Sequence, residues 1–196
     1  MRIRNPKEEL FMTDTAPRLR TLDLAYIAFF AVLMAVGAWV SVPAPKPFVP
    51  FTMQTFAVFA AMMCLGGRRG LYSVIVYLLL GAIGAPVFSG FRGGGGVLFD
   101  TTGGYLIGFI ALALVYWLIA AKFGTAAPMQ IAACVAGLAV CYTFGTAWFL
   151  ALYTSSTGAI GVMTALGWCV FPFLIPDALK LALAALLSRR VAALMK

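Results

Sequence analysis

Long hydrophobic runs follow one another along the chain with short polar breaks between them. An α-helix needs about 17 to 25 mainly apolar residues to cross the bilayer core. Because lipid offers no partner to an unpaired backbone group, runs of this length fold as helices. The strict two-residue alternation of a membrane barrel is absent from the sequence. We predict six spans, at 22–41, 49–65, 71–88, 103–121, 129–153 and a last one that ends near residue 188.

The final apolar stretch, 158–188, is too long for one upright span. Its 31 residues would make a helix of roughly 46 Å, against a hydrocarbon core of about 30 Å. Pro172 and Pro176 lie inside it, and proline interrupts helices but is well tolerated in a first turn. We therefore predict a break there, with the last helix beginning near Pro176.

The composition agrees with a membrane protein. Hydrophobic residues make up 63% of the 196 positions and charged residues only 10%, and the mean hydropathy is +1.01. A soluble domain of this size cannot bury so much apolar surface. The predicted fold class is an all-α integral membrane protein, a compact six-helix bundle at 22–196 that follows a cytoplasmic tail at 1–21.

The net charge of +8 indicates topology. Cationic residues gather on the cytoplasmic side of membrane proteins, so both termini are predicted to be cytoplasmic in a multi-pass protein of the inner (cytoplasmic) membrane. The opposite loops carry only Lys46 and Arg92, and nucleic acid is not an expected partner. Eleven cationic residues share the predicted cytoplasmic side: Arg2, Arg4, Lys7, Arg18, Arg20, Arg68, Arg69, Lys122, Arg189, Arg190 and Lys196.

Several kinds of chemistry lack their usual residues. The chain has no His, its four Cys are scattered through apolar runs, and no GxxxxGK[ST] loop occurs. His is the commonest general base and metal ligand, and that loop binds ATP phosphates. We therefore expect no enzyme, no metal and no cofactor, and energy for uphill transport would come from a partner or an ion gradient.

Asp177 and Lys180 are the acid and base predicted to lie within a span. A charge at the bilayer centre costs about 2.5 to 3.5 kcal/mol on insertion scales, so such residues usually face a cavity or pair with each other. Their spacing puts both on one helix face. Asp177 would lie in the first turn after Pro176, in the outer half or near the midplane of the membrane. The alternative is an ion pair that only holds two helices together.

Two further polar segments lie on the predicted outer side. The glycine-rich stretch 81–109 carries Arg92 and Asp100 between aromatic residues and is typical of a lid, or else of a flexible connection. Gln54 enters the second span with neighbouring threonines. It could serve a binding site or only join helices. Tyr105 and Tyr142 add hydroxyls, although tyrosines also populate the interfacial belt.

Helix one carries alanines at 28, 31, 35 and 38, a stripe at spacings of three and four. Small residues let another helix approach closely. Internal packing and a docking surface for a partner both remain open.

These motifs together resemble the BioY family, the biotin-binding S components of energy-coupling factor (ECF) transporters. The resemblance rests on "PDALK", "GAPVFSGFRGGGG" with "TTGGYLIGF", "VPFTMQTF" and the alanine stripe. It implies six helices that take up biotin from outside, and docking through Ala31 and Ala35 on a transmembrane coupling subunit carried by two ABC-type ATPases. Alternatives are a solitary biotin carrier, an S component for another vitamin, an intramembrane enzyme built on Asp177 and a purely structural membrane protein.

The resemblance also implies the ligand contacts, with Asp177 and Lys180 as the principal pair. Biotin has a ureido group, a thioether ring and an aliphatic chain that ends in a carboxylate. Its burial requires an acceptor, a donor, apolar walls and a cation. Which end of the ligand meets Lys180 is left open by the sequence. The predicted ligand-binding residues are Asp177, Lys180, Gln54, Phe51, Phe88, Arg92, Gly104, Tyr105 and Tyr142.

Overall fold

The computed structural model describes residues 20–42 and 49–194, and the predicted all-helical class is confirmed there. Most of the predicted tail and Lys46 lie outside these ranges. The elements in chain order are α1 (Thr21–Trp39), β1 (Ser41–Val42), β2 (Phe51–Thr52), α2 (Gln54–Leu65), α3 (Gly67–Ala82), α4 (Gly95–Leu98), α5 (Gly103–Phe123), α6 (Ala127–Thr157), α7 (Val162–Cys169) and α8 (Phe171–Leu194).

Four helices of the described ranges are long and apolar enough to cross a membrane: α1, α5, α6 and α8. Helix α2, with 12 residues, is a shorter apolar helix. Glycines with left-handed backbone angles lie between consecutive helices. Gly66 (φ 80°) lies between α2 and α3, and Gly124 (φ 86°) follows α5. Only glycine adopts such angles without steric cost.

The second and third predicted spans are partly non-helical. Residues 49–53, which we call the extended segment, are non-helical and contain β2, which pairs antiparallel with β1. The Met53 amide donates to the Gly37 carbonyl at 3.0 Å and to the Val40 carbonyl at 3.1 Å, which ties this strand to the end of α1. Helix α3 stops at Ala82, short of the predicted end at residue 88. Non-helical backbone at membrane depth is tolerated where protein covers it or where it lines a cavity.

The predicted break before the last helix is confirmed, but its position was wrong by five residues. Helix α7 ends at Cys169 and α8 begins at Phe171, with Pro176 inside the helix. Pro172 is the second residue of α8, where a missing N–H costs nothing because a first-turn amide has no helical acceptor. Asp177 therefore lies in the second turn of α8 and not in the first.

Glycines let α5 and α6 pack closely. A side chain at Gly104 would collide with Trp148, and one at Gly145 would collide with the ring of Tyr105. Small residues of this kind are the usual means of close helix approach in membranes. The contact brings the N-terminal half of α5 against α6, and this pair of helices forms one wall of the cavity described below.

The alanine stripe of α1 faces mainly inward. Ala31 is 1% exposed and Ala35 is 5% exposed, and both belong to the hydrophobic core, as does the α2 segment beside them. Ala28 is exposed, together with the bulky residues Phe29 and Val32. Of the two alternatives for the stripe, the structure of this single chain shows packing for Ala31 and Ala35. Their small size lets α1 lie close to α2 and α3.

Candidate ligand-binding site

One cavity collects most of the predicted ligand-binding residues. Its walls come from α2, α5, α6, the end of α7, α8, the extended segment 49–53 and the lid segment, which we define as residues 83–102 between α3 and α5. Its empty volume is about 750 Å³ with the open mouth included. Seven of the nine predicted residues line it: Gln54, Phe88, Arg92, Tyr105, Tyr142, Asp177 and Lys180.

The centre of the polar wall is an ion pair on α8. Lys180 Nζ lies 2.7 Å from Asp177 Oδ1, and the two side chains are 4% and 3% exposed. The predicted same-face arrangement is confirmed, because residues three apart are neighbours on a helix. A buried pair of this kind is costly to build, and breaking it leaves an uncompensated charge. Its position at a cavity is the usual setting of intramembrane charges.

Tyr142 of α6 completes the environment of Asp177. The Tyr142 hydroxyl donates to Asp177 Oδ2 at 2.5 Å, so each carboxylate oxygen already accepts one hydrogen bond. The sequence predicted Tyr142 as a ligand-binding residue that adds a hydroxyl, but it did not predict the bond to Asp177. A carboxylate has about four acceptor positions, so both oxygens retain capacity for a ligand N–H.

Phe51 does not line the cavity but supports the cation that does. Lys180 Nζ lies 4.2 Å from the centroid of the Phe51 ring, within the range of a cation–π contact. The same ring stacks on Phe173 at 6.4 Å. Lys180 is thus held between a carboxylate and an aromatic face, which fixes the direction of its remaining N–H donors.

Gln54 is 4% exposed and is oriented by a hydrogen-bonded chain. Its Nε2 donates to the Tyr77 hydroxyl at 2.7 Å, and that hydroxyl donates to the Val87 carbonyl at 3.2 Å. The chain connects α2 through α3 to the lid segment. One N–H of the Gln54 amide is committed in this way, and the side chain keeps a second N–H and an acceptor oxygen.

The lid segment is more ordered than a plain glycine linker. It contains α4, and the Phe88 amide donates to the Arg92 carbonyl at 2.9 Å. Arg92 pairs with Asp100 at 3.5 Å, and the two side chains are 47% and 35% exposed. Of the two alternatives for this segment, a lid agrees better with the structure, because Phe88 and Arg92 line the cavity.

Gly104 and Tyr105 have different roles at the start of α5. Gly104 does not line the cavity but makes room for Trp148, whose indole N–H donates to the Asp100 carbonyl at 3.1 Å. Tyr105 lines the cavity, and its hydroxyl shares a hydrogen bond with Thr146 Oγ1 at 3.0 Å.

Several lining residues escaped the sequence reasoning. Helical spacing could have found some of them, because Leu138 lies four positions before Tyr142 and Phe173 lies four before Asp177. Cys141 and Cys169 were not predicted to line a site, because both lie within apolar runs. The lining residues absent from the predicted set are Val49, Pro50, Thr52, Thr55, Ser89, Val97, Thr102, Leu106, Phe109, Leu138, Cys141, Cys169 and Phe173.

The cavity therefore offers a carboxylate acceptor, an ammonium donor and an amide at one place, a guanidinium in the lid segment, and mostly apolar walls. Such a site can bind a small molecule with both polar and aliphatic parts. Within the described ranges, no group of three or more His, Cys, Asp or Glu side chains could hold a metal ion.

Comparison with known proteins places the chain among vitamin transporters. The sequence model of the BioY family matches residues 11–196. The chain is 41% identical over 169 residues to the biotin transporter BioY of Thermotoga maritima, which covers 86% of this chain and 95% of the relative. It is 34% identical over 173 residues to a probable biotin transporter BioY of Pyrococcus horikoshii, and the match covers 88% of this chain and 98% of the relative.

Solved structures agree on the fold. The S-component for biotin from an ECF-type ABC transporter superimposes with a TM-score of 0.77 over 97% of this chain and 95% of that chain, at 20% identity. The S component of a bacterial ECF transporter superimposes with a TM-score of 0.53 over 89% of this chain and 98% of that chain, at 17% identity. At this level of identity the likeness establishes the shared fold.

Proposed function

Because the chain belongs to the BioY family, we propose that its cavity captures biotin from outside the cell and that the protein is the biotin-binding S component of an ECF-type transporter. The protein is a transporter subunit and not an enzyme. The observation that carries the proposal is the buried pair of Asp177 and Lys180 at the cavity. Ionisable groups inside a membrane bundle are kept mainly for function.

We assign the ureido group of biotin to the pair on α8. Asp177 can accept from a ureido N–H through the lone pairs that Lys180 and Tyr142 leave free, and Lys180 can donate to the ureido oxygen. Gln54 supplies a second donor beside them. The three groups match the donors and acceptor of a ureido ring, and their fixed hydrogen bonds lower the entropy cost of binding.

The carboxylate of biotin then points to the mouth of the cavity. Lys180 is 4% exposed and already neutralised by Asp177, whereas the Arg92 side chain is 47% exposed in the lid segment. An Arg guanidinium binds a carboxylate with two parallel hydrogen bonds. We propose that the Arg92 guanidinium binds the ligand carboxylate, either in place of Asp100 or together with it. Phe88 and Tyr105 would then pack against the aliphatic chain of biotin.

This orientation gives a selective test at Arg92. We expect Arg92→Gln to weaken biotin binding by about tenfold, because one charge-assisted contact is lost. Binding of biotinamide, which has no carboxylate, should change little. Equilibrium binding to purified protein measures both. Arg92→Lys, which keeps the charge, is the matched control and should lose less; equal losses for biotin and biotinamide would place the carboxylate elsewhere.

We propose six spans with both termini in the cytoplasm. Helices α2 and α3, at 12 and 16 residues, would cross with help from the extended segment 49–53 and the lid segment. Asp23 near the start of α1 pairs with Arg69 at 3.0 Å, so the start of α1 and the α2–α3 turn lie at one end of the bundle. Arg92 lies at the cavity mouth, and the positive-inside rule then makes the Arg69 end cytoplasmic.

The partners that we propose are a transmembrane coupling subunit and two ABC-type ATPases, which would supply the ATP hydrolysis. Docking through α1 stays a prediction. Ala31 and Ala35 are buried in this chain, so in this conformation the accessible surface of the helix is the face that carries Ala28, Phe29 and Val32. We therefore place the contact on that exposed face.

A bulky residue on the exposed face tests the docking proposal. Ala28→Trp should reduce co-purification of the coupling subunit by about tenfold or more, because a large side chain prevents close helix approach. Biotin binding to the isolated variant should be unchanged. Leu118→Trp, at an exposed position of α5, is the control. Association that survives Ala28→Trp would assign this face to lipid contact.

A further inference from the structure

Trp39, the last residue of α1, holds the lid segment at two points. Its indole Nε1 donates a hydrogen bond to the Pro86 carbonyl at 2.8 Å. Its ring stacks on Phe91, with centroids 5.2 Å apart and planes inclined by 26°, a favourable geometry for an aromatic pair. One side chain therefore joins the end of α1 to two places in the lid segment.

The backbone of the lid segment is unusual where Trp39 contacts it. Phe91 has φ 55°, and it is the one non-glycine residue with positive φ that the described ranges contain. Such a conformation is rare for an aromatic residue and persists only where surrounding contacts hold it. Gly90 just before it has φ 72°, so the chain reverses sharply and leaves Phe91 64% exposed but stacked on Trp39.

The same reversal positions the lid residues that face the cavity. The Phe88 amide donates to the Arg92 carbonyl across the turn, and Arg92 Nε donates to the Ser89 carbonyl at 3.2 Å. Phe88 is 1% exposed and packs edge-on against Tyr77 at 5.5 Å. All three turn residues line the cavity, so the geometry that Trp39 and Phe91 fix is also the geometry of the cavity wall.

A simple interfacial role does not account for these contacts. Tryptophans of the membrane belt anchor a helix by directing their polar edge to the headgroup region. The N–H of Trp39 is instead used by a backbone carbonyl 47 residues away in sequence. Its ring faces a residue in a strained conformation.

We propose that Trp39 is a positioning residue that keeps the lid segment closed over the cavity and thereby slows the escape of bound ligand. The proposal rests on the proposed function in taking biotin as the ligand. Trp39 does not line the cavity itself and acts through Pro86 and Phe91. Since Trp39 ends α1, displacement of this helix by a partner would release the lid segment.

Dissociation of radiolabelled biotin from purified protein, chased with unlabelled biotin, tests the proposal. Trp39→Ala should raise the dissociation rate by about tenfold, since a hydrogen bond and an aromatic pair are lost together. Trp39→Phe keeps a ring for stacking and should give a smaller increase. Phe123→Ala, which removes an exposed aromatic ring at the end of α5, is the control and should leave the rate unchanged.

Phe91→Gly separates the effect of the ring contact with Trp39 from the effect of backbone strain at residue 91. Glycine relieves the positive φ without steric cost, so this variant should be at least as stable as the wild type to heat and yet release biotin faster. If Trp39→Ala does not fold, Trp39→Phe and Phe91→Gly decide the question. Release rates within twofold of the wild type in these variants would overturn the positioning role of Trp39. A wild type that binds no biotin would overturn the proposed function instead.

Discussion

Asp177→Asn is expected to lower the affinity for biotin by about 100-fold. The amide removes the charge that Lys180 faces at 2.7 Å and offers one acceptor oxygen where the carboxylate has two. Hydrogen bonds to charged groups contribute about 1.5 to 3 kcal/mol each, and a buried Lys without its partner is unfavourable in its own right. Equilibrium binding of labelled biotin to the purified variant measures the effect.

Two controls separate binding from folding in this experiment. Asp23→Asn makes the same chemical change in an Asp that pairs with Arg69 at the other end of the bundle, and biotin affinity should stay as in the wild type. The double variant Asp177→Leu with Lys180→Met removes both charges, and apolar replacements of buried pairs are often neutral or stabilising. It should therefore fold without binding biotin. Wild-type affinity in Asp177→Asn would remove the pair from the site.

Gly104→Ala is expected to cause a large loss of stability for a single added methyl group. A Cβ at Gly104 would overlap the side chain of Trp148, and overpacking in a tight interface costs about 1 to 3 kcal/mol. Trp148 also donates to the Asp100 carbonyl, so its displacement would disturb the lid segment. Thermal unfolding of the detergent-solubilised protein, followed by intrinsic fluorescence, measures the change.

Gly167→Ala in α7 is the matched control for this substitution. An added Cβ there meets no atom within 4 Å, and alanine is the better helix former by about 1 kcal/mol. The melting temperature should stay equal or rise. A Gly104→Ala variant that melts with the wild type would show that α5 and α6 can separate slightly at no cost, and would leave the prediction of Gly104 as a ligand contact to be tested by binding.

The sequence predicted features that depend on neighbours in the chain. The long hydrophobic runs gave the all-helical class, and a spacing of three placed Asp177 and Lys180 together on one face of α8. Their hydrogen-bond partners from other helices could not be found in this way. Tyr142 lies 35 residues from Asp177 and Tyr77 lies 23 from Gln54, and only tertiary packing decides such pairings.

The alternatives that the sequence left open and the errors in it have the same origin. The alanine stripe of α1 predicted a close neighbour but could not say whether that neighbour belongs to this chain or to a partner. We predicted that α8 begins near Pro176 because proline is common in the first turn of a helix. The first turn of α8 instead contains the earlier Pro172, and Pro176 lies inside the helix. The non-helical residues before Gln54 were predicted as part of a span because they are apolar. Their hydrogen bonds to α1 have no effect on hydropathy, so the sequence pattern could not reveal them.

Native mass spectrometry of the protein purified from biotin-containing medium tests the central claim most directly. The account predicts that the wild type carries one biotin per chain and that the Asp177→Leu, Lys180→Met double variant, folded and purified in the same way, carries none. A wild type that stays free of biotin under these conditions, or a double variant that retains it, would contradict the assignment of the cavity and its ion pair to biotin capture.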